Sequence, residues 1–280
     1  MNHAQDDMGS WVRRYFSIWC TCLRNGLIRD MMFRGNFLIE CVTSAAWITI
    51  NLCFYVLIFQ YTRDIAGWEK HQYFVFLATG MFVNGLMQAF IMPGIEEFSE
   101  LIRRGNLDFV LMKPIDTQFI VSLHRVKWSS LTTVILGGGL LVYGLWQMGH
   151  VPTAWSVAFY PLYVVCGVII LYCVMIVLAS TSVWMGRNQS LGDFWFYVTV
   201  FSRYPLEIYD GRLGQPIRVG FSFVIPILLA VNIPARLVAR PMKDGEWILV
   251  VYTLVATASS LAMCRWVFGW ALRGYRSASS

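Results

Sequence analysis

Five stretches of this chain, residues 41–62, 72–95, 128–149, 151–186 and 247–264, contain no Asp, Glu, Lys, Arg or His. A helix rises about 1.5 Å per residue and the hydrocarbon core of a bilayer is about 30 Å thick, so roughly 20 uncharged, mostly apolar residues make one crossing. Each stretch is therefore expected to be a transmembrane helix, and the fold class an all-α polytopic membrane bundle. Composition agrees. The chain is 57% hydrophobic and 14% charged, on opposite sides of the values of about 45–50% and 25% usual for soluble domains.

The net charge of +6 does not point to nucleic acid, because the basic residues flank the apolar stretches, as membrane topology requires. Trp and Tyr collect there too, as an interfacial belt would. Of the seven cysteines, Cys41, Cys53, Cys166, Cys173 and Cys264 fall inside expected spans, where they act as small apolar residues. Cys20 and Cys22 have no nearby His, so neither disulfide nor zinc is expected. No cleaved targeting segment is evident.

Residues 11–34 place Val12, Phe16, Trp19, Leu23 and Leu27 at spacings of three and four, with Arg13, Arg14 and Arg24 largely on the other side. That is the pattern of an amphipathic helix in the membrane interface, or of one packed on the end of the bundle. Spans are expected near 38–62, 72–95, 119–149, 153–186 and 246–268, with one more between Arg187 and Trp247. From a cytoplasmic N-terminus, residues 92–127 and the C-terminus lie inside, and the turns at 61–71 and His150 outside.

Three layouts compete for the remaining crossing. Residues 219–235 cross alone (span 217–238); or 188–205 cross and the proline-broken piece containing Pro226 and Pro234 dips in and returns; or both cross. The first keeps most basic residues, Arg187, Arg203, Arg212 and Arg218 among them, on the cytoplasmic side, so six spans with 219–235 as the fifth is the preferred layout. The prolines keep the second alive.

Chemistry-bearing patterns are missing. The five clear spans hold no charge at mid-depth; Glu40, Arg125, Lys127 and Arg265 sit at their mouths, where long side chains reach water. There is no zinc-protease helix, no nucleophile elbow and no phosphate-binding loop ending in Lys-Ser/Thr; Gly137–Gly138–Gly139 lies in an apolar span and reads as a packing site. Catalysis within the chain is not expected, and no cofactor is. The second loop is the most polar place in the first half. Ile95, Phe98, Leu101 and Ile102 recur at helical spacing, Glu96, Glu97 and Glu100 come early, and Arg103 and Arg104 late, suiting a helix dipole. A short amphipathic helix stopped by Gly105 is expected, either simply covering the bundle or docking a partner.

The succession Gly105, Leu107, Asp108, Leu111, Lys113, Pro114 resembles the signature after the second span of type-2 ABC transporter permeases, of an uncharacterised bacterial branch. Tyr204–Pro205, Tyr209, Pro226 and Pro234 before the last span resemble a looser second motif. The resemblance covers essentially the whole chain. It implies a permease subunit of an exporter in the bacterial inner membrane. Its partners would be a second permease subunit, identical or homologous, and a separate ATPase that binds the ATP and Mg. It makes the second loop a coupling helix with Glu96, Glu97, Glu100, Arg103 and Arg104 as contacts. Asp108 either caps the following helix or touches the partner. Polar residues within spans, Asn51, Asn84, Gln88, Ser129, Thr132, Ser180, Thr181 and Asn232, either line a path or bond between helices. A lipid-active membrane enzyme, needing Asp193, Glu207 and Asp210 to converge, and a non-transporting scaffold are the rival readings.

Overall fold

The computed structural model describes residues 2–149, 152–185, 191–240 and 246–275; His150 and Arg187, used above in placing loops, lie outside them. Helix α1 (Asn2–Met32) begins earlier than expected and breaks at Phe33 before α2 (Arg34–Tyr61). A two-residue hairpin, β1 (Asp64–Ile65) and β2 (Trp68–Glu69), leads into α3 (Lys70–Phe90). Ala66 and Gly67 both have positive φ, the backbone that a tight hairpin turn requires, and the Gly67 N–H donates to Asp64 Oδ2 at 2.7 Å.

Helix α3 continues through Ile91 into α4 (Met92–Arg103), and Lys70–Arg103 forms one rod of 34 residues. Short helices α5 (Leu107–Leu111) and α6 (Thr117–Leu123) follow. Residues 119–127 are not the start of the third span, as expected, because the chain is extended at Lys127, whose N–H donates to Ala89 O at 2.8 Å. The span starts at the turn Trp128–Ser130 and runs through α7 (Leu131–Gln147). Then come α8 (Ala154–Ser180), α9 (Ser182–Met185), α10 (Leu191–Ser202), α11 (Gln215–Val219), α12 (Leu229–Ala239) and α13 (Glu246–Gly274).

Among the described residues five helices are long and apolar enough to cross a membrane, six if the bent pair Gln215–Val224 and Leu229–Ala239 counts as one. The core runs along α3, α8 and α12, where Phe76, Met87, Ile170, Leu171, Met175 and Ile176 are fully enclosed. By contrast α2 buries none of its residues, and it exposes Trp47, Ile50, Phe54 and Leu57, as α13 exposes Ile248, Val251, Val255 and Trp266. Apolar surface on this scale suits lipid or another membrane subunit as its neighbour.

Contacts sort the connections into two ends. At the loop end, α1 lies along the α4–α6 region: Arg14 donates to Pro114 O (3.4 Å), Arg29 to Val126 O (2.8 Å), and Asp30 accepts from Trp128 N (2.9 Å). Phe16 stays 61% exposed, as an interfacial helix face would. Ser182 of α9 touches Ser99 of α4, and Arg265 pairs with Asp116, so α9 and the second half of α13 belong to this end. At the hairpin end, Glu207 accepts from Trp68 Nε1 (3.1 Å) and pairs with Arg236 (2.6 Å) and Arg240 (3.3 Å). Arg240 also stacks 4.1 Å above the Trp68 ring and donates to Gly67 O.

This sorting bears on the open layouts. The bent pair turns through 95° between its halves, so 219–235 is not a straight rod. Its start is tied to the turn at 206–210 by the Arg218–Asp210 pair, and its finish to the same turn by Arg236 and Arg240 on Glu207. Both ends of the pair therefore sit at the hairpin end. The chain passes from the loop end at α9 to that turn by way of α10. A bend of this size fits a broken span or a piece that enters and returns, and Pro226 and Pro234 both belong to it. The basic residues flanking the bent pair are paired locally, Arg218 with Asp210 and Arg236 and Arg240 with Glu207.

Candidate functional site

Helix α4 is amphipathic as its sequence says. Ile95 and Phe98 are fully buried and Ile102 nearly so, while Glu96, Arg103 and Arg104 are exposed. Its Gly94 lies flat on α6, where a Cβ would come within 2.3 Å of Val121 O. It ends as expected: Gly105 has φ 70°, its N–H donates to Ile102 O (3.1 Å) and that of Asn106 to Leu101 O (2.9 Å). The two bonds satisfy the last helical carbonyls, and they need a residue at ease with positive φ.

The five charged residues singled out divide into two groups. Glu100 binds both Arg103 and Arg104, one turn along its own helix. Glu97 instead reaches His124 Nε2 at 2.6 Å and pairs with Arg125, beyond α6. Glu97, Glu100, Arg104 and Arg125, with Glu96 and Pro93, wall an open groove of ≈ 500 Å³ at the loop end. In the signature, Leu107 is completely buried and anchors α5, whereas Leu111, Lys113 and Pro114 are exposed. Asp108 is not a cap: it lies in the first turn of α5, whose cap position is Asn106. Of the second motif, Pro205 is buried just before the turn at 206–209, Pro226 is buried beside the bend, and Pro234 lies inside α12.

Sequence reasoning missed the true cap and what it holds. Asp116 caps α6, accepting from Phe119 N at 3.0 Å, and forms a two-pronged pair with Arg265 of α13. The guanidinium holds this carboxyl below its ordinary range. Beside it, Gln118 donates to Tyr172 OH (2.9 Å) and Cys264 Sγ (3.3 Å) and accepts from Arg265 (3.1 Å), while Ser122 meets the same tyrosine at 2.9 Å. A buried polar cluster thus fastens α6, and through Gly94 the helix α4, to α8 and α13. An Asp three residues before Phe119 and two after a proline was a readable capping signal.

A second feature is a groove of ≈ 430 Å³ between α2, α3 and α10, lined by Asn51, Asn84 and Gln88 from the polar residues singled out. The others serve elsewhere. Ser129 donates to Glu40, Ser180 and Thr181 bond back to their own helix, and Asn232 holds Tyr204 O and Leu206 N. Thr132 is absent from the groove lining. The acids that an enzyme would need do not converge: Glu207 and Asp210 are paired at the hairpin end, and Asp193 is exposed in the first turn of α10, the far end of that helix. Among the described residues no three His, Cys, Asp or Glu side chains gather as metal ligands.

These features define a multi-pass helical membrane protein with a charged amphipathic helix continuous with one of its spans. The family model described as ABC-2 family transporter protein matches residues 45–279, and the chain belongs to that family: it is a membrane permease of the ABC transporter type. No curated protein and no solved structure matches it.

Proposed function

We propose that the chain is the membrane subunit of an ATP-driven exporter in the bacterial cytoplasmic membrane, coupled through α4 to a separate ATPase that supplies all nucleotide and Mg²⁺ binding. The loop end faces the cytoplasm with both termini. The hairpin end, with the bent pair dipping from it, faces outward, and α10 with the residues before it makes the fifth crossing. The observation that carries this reading is the Lys70–Arg103 rod. A partner pressing on Glu96, Glu97, Glu100, Arg103 and Arg104 moves a span directly, because packed helices shift as rigid bodies rather than bending. The Asp116–Gln118–Arg265 cluster carries the same push to α8 and α13. A second permease subunit, identical or homologous, covers the unburied α2 and closes the groove beside it into a path for cargo.

The test is co-expression with the candidate ATPase and purification in mild detergent, for the wild type and for Glu96→Arg/Glu97→Arg/Arg103→Glu. Retention by the wild type and loss from a triple variant that elutes as a folded species is the expected result. Equal retention by both refutes α4 as the docking site, and no retention by the wild type refutes the coupled-permease reading.

A further inference from the structure

Arg203 follows α10, and among the described residues it forms no ion pair. Its neighbour Tyr204 offers a carbonyl to Asn232 at 3.4 Å, and the adjacent Val231 is what a Cβ on Gly80 would meet, at 3.7 Å. Gly80 lies eight residues along α3 from Gln72, which bonds Arg240 at the hairpin end; at 1.5 Å per residue that is about 12 Å below the rim. The residue is exposed rather than enclosed by its own bundle. Its guanidinium carbon sits 5.8 Å from the centre of the Phe196 ring, two turns back down α10. Arginine keeps its charge in protein surroundings, and a charge held at such depth persists where it has work to do.

Arg203 also lines the groove between α2, α3 and α10. Trp47 and Trp195 give that groove apolar wall. Asn51 and Asn84 each donate one amide hydrogen to a carbonyl of their own helix, Trp47 O and Gly80 O, at 2.8 Å each. At ≈ 430 Å³ it falls within the range of small-molecule sites. We infer that the groove binds a single-chain amphipathic organic anion, its apolar body along α2 and α3 and its anionic head on Arg203. The inference deepens the permease reading by naming the chemical class of the cargo.

Binding of dansyl-labelled undecanoic acid and of its methyl ester to the purified chain in non-ionic detergent, followed by tryptophan-to-dansyl energy transfer, tests it. The acid binds the wild type about tenfold more tightly than the ester, the worth of one charge-assisted contact. Arg203→Gln abolishes that preference, Arg203→Lys keeps most of it, and Asn84→Leu weakens both probes. Equal binding of acid and ester by the wild type overturns the inference without needing any variant. So does an Arg203→Gln chain that keeps the preference, or one that instead falls apart as a dimer, which would assign the arginine to a carboxylate of a second subunit. No ATPase or nucleotide is present, so failure here leaves the coupled-permease reading standing, and loss of ATPase docking leaves this site standing.

Discussion

Replacing Gly167 by alanine probes the contact that seats the bent pair in the bundle. Gly167 is buried in the middle of α8, and a Cβ there would lie 2.2 Å from Ala230 O and 3.0 Å from its carbonyl carbon. Ordinary contact begins near 3.4 Å, so α8 and α12 must part by roughly 1 Å, and a backbone oxygen cannot rotate aside as a side chain would. Overpacking of this kind costs about 1–3 kcal/mol, and alanine returns about 1 kcal/mol through its helix propensity. Because α12 is buried from Leu229 to Ala235, the cost falls at the upper end, and the net loss is about 2 kcal/mol. Gly139→Ala in α7 is the control, since nothing lies within 4 Å of its Cβ position; it gains about 0.5–1 kcal/mol from propensity alone. Equilibrium unfolding in mixed micelles measures both. A Gly167→Ala chain as stable as the wild type, or less disturbed than Gly139→Ala, refutes the packing argument.

Glu207→Gln strips the carboxylate from between Arg236 and Arg240, both largely buried, and costs about 3 kcal/mol, read as lower stability and faster proteolysis within 204–218. Gly105→Ala strains a residue at φ 70° and costs about 1 kcal/mol, measured in the same unfolding assay. Asp116 has its carboxyl lowered from the ordinary 3.8 by Arg265, so its contribution is complete above that value and is lost as the pH falls through the lower, folded value. The pair is partly exposed, which limits the effect to within about 1 kcal/mol. Arg265→Gln should flatten the loss of stability on acidification below pH 3.8, and an unchanged profile removes Arg265 as the cause.

Much of this architecture was legible because a bilayer penalises charge so heavily that five uncharged stretches had little choice but to be helices. The α4 helix was legible for a similar reason: Ile95, Phe98 and Ile102 keep one face, and Gly105 marks the stop. The bent pair was not, since no local pattern shows that Arg218 will meet Asp210 or that Arg236 and Arg240 will share Glu207. Likewise, Arg265 looked like a residue free to reach water, and only the fold brings Asp116 and Gln118 to it across about 150 residues of sequence. Local pattern reports a residue's own helix; partners contributed by distant helices are written only in the packing.

The account rests on which end of the bundle each connection occupies, and labelling from one face of the membrane measures that directly. In a chain with its seven native cysteines replaced, single cysteines go to Tyr61, Met112 and Leu213, whose side chains are 88%, 71% and 91% exposed. With a membrane-impermeant maleimide on intact cells, Tyr61→Cys and Leu213→Cys should react and Met112→Cys should be protected until the membrane is opened. If Leu213→Cys is protected together with Met112→Cys, residues 219–235 cross the membrane and the re-entrant arrangement is contradicted.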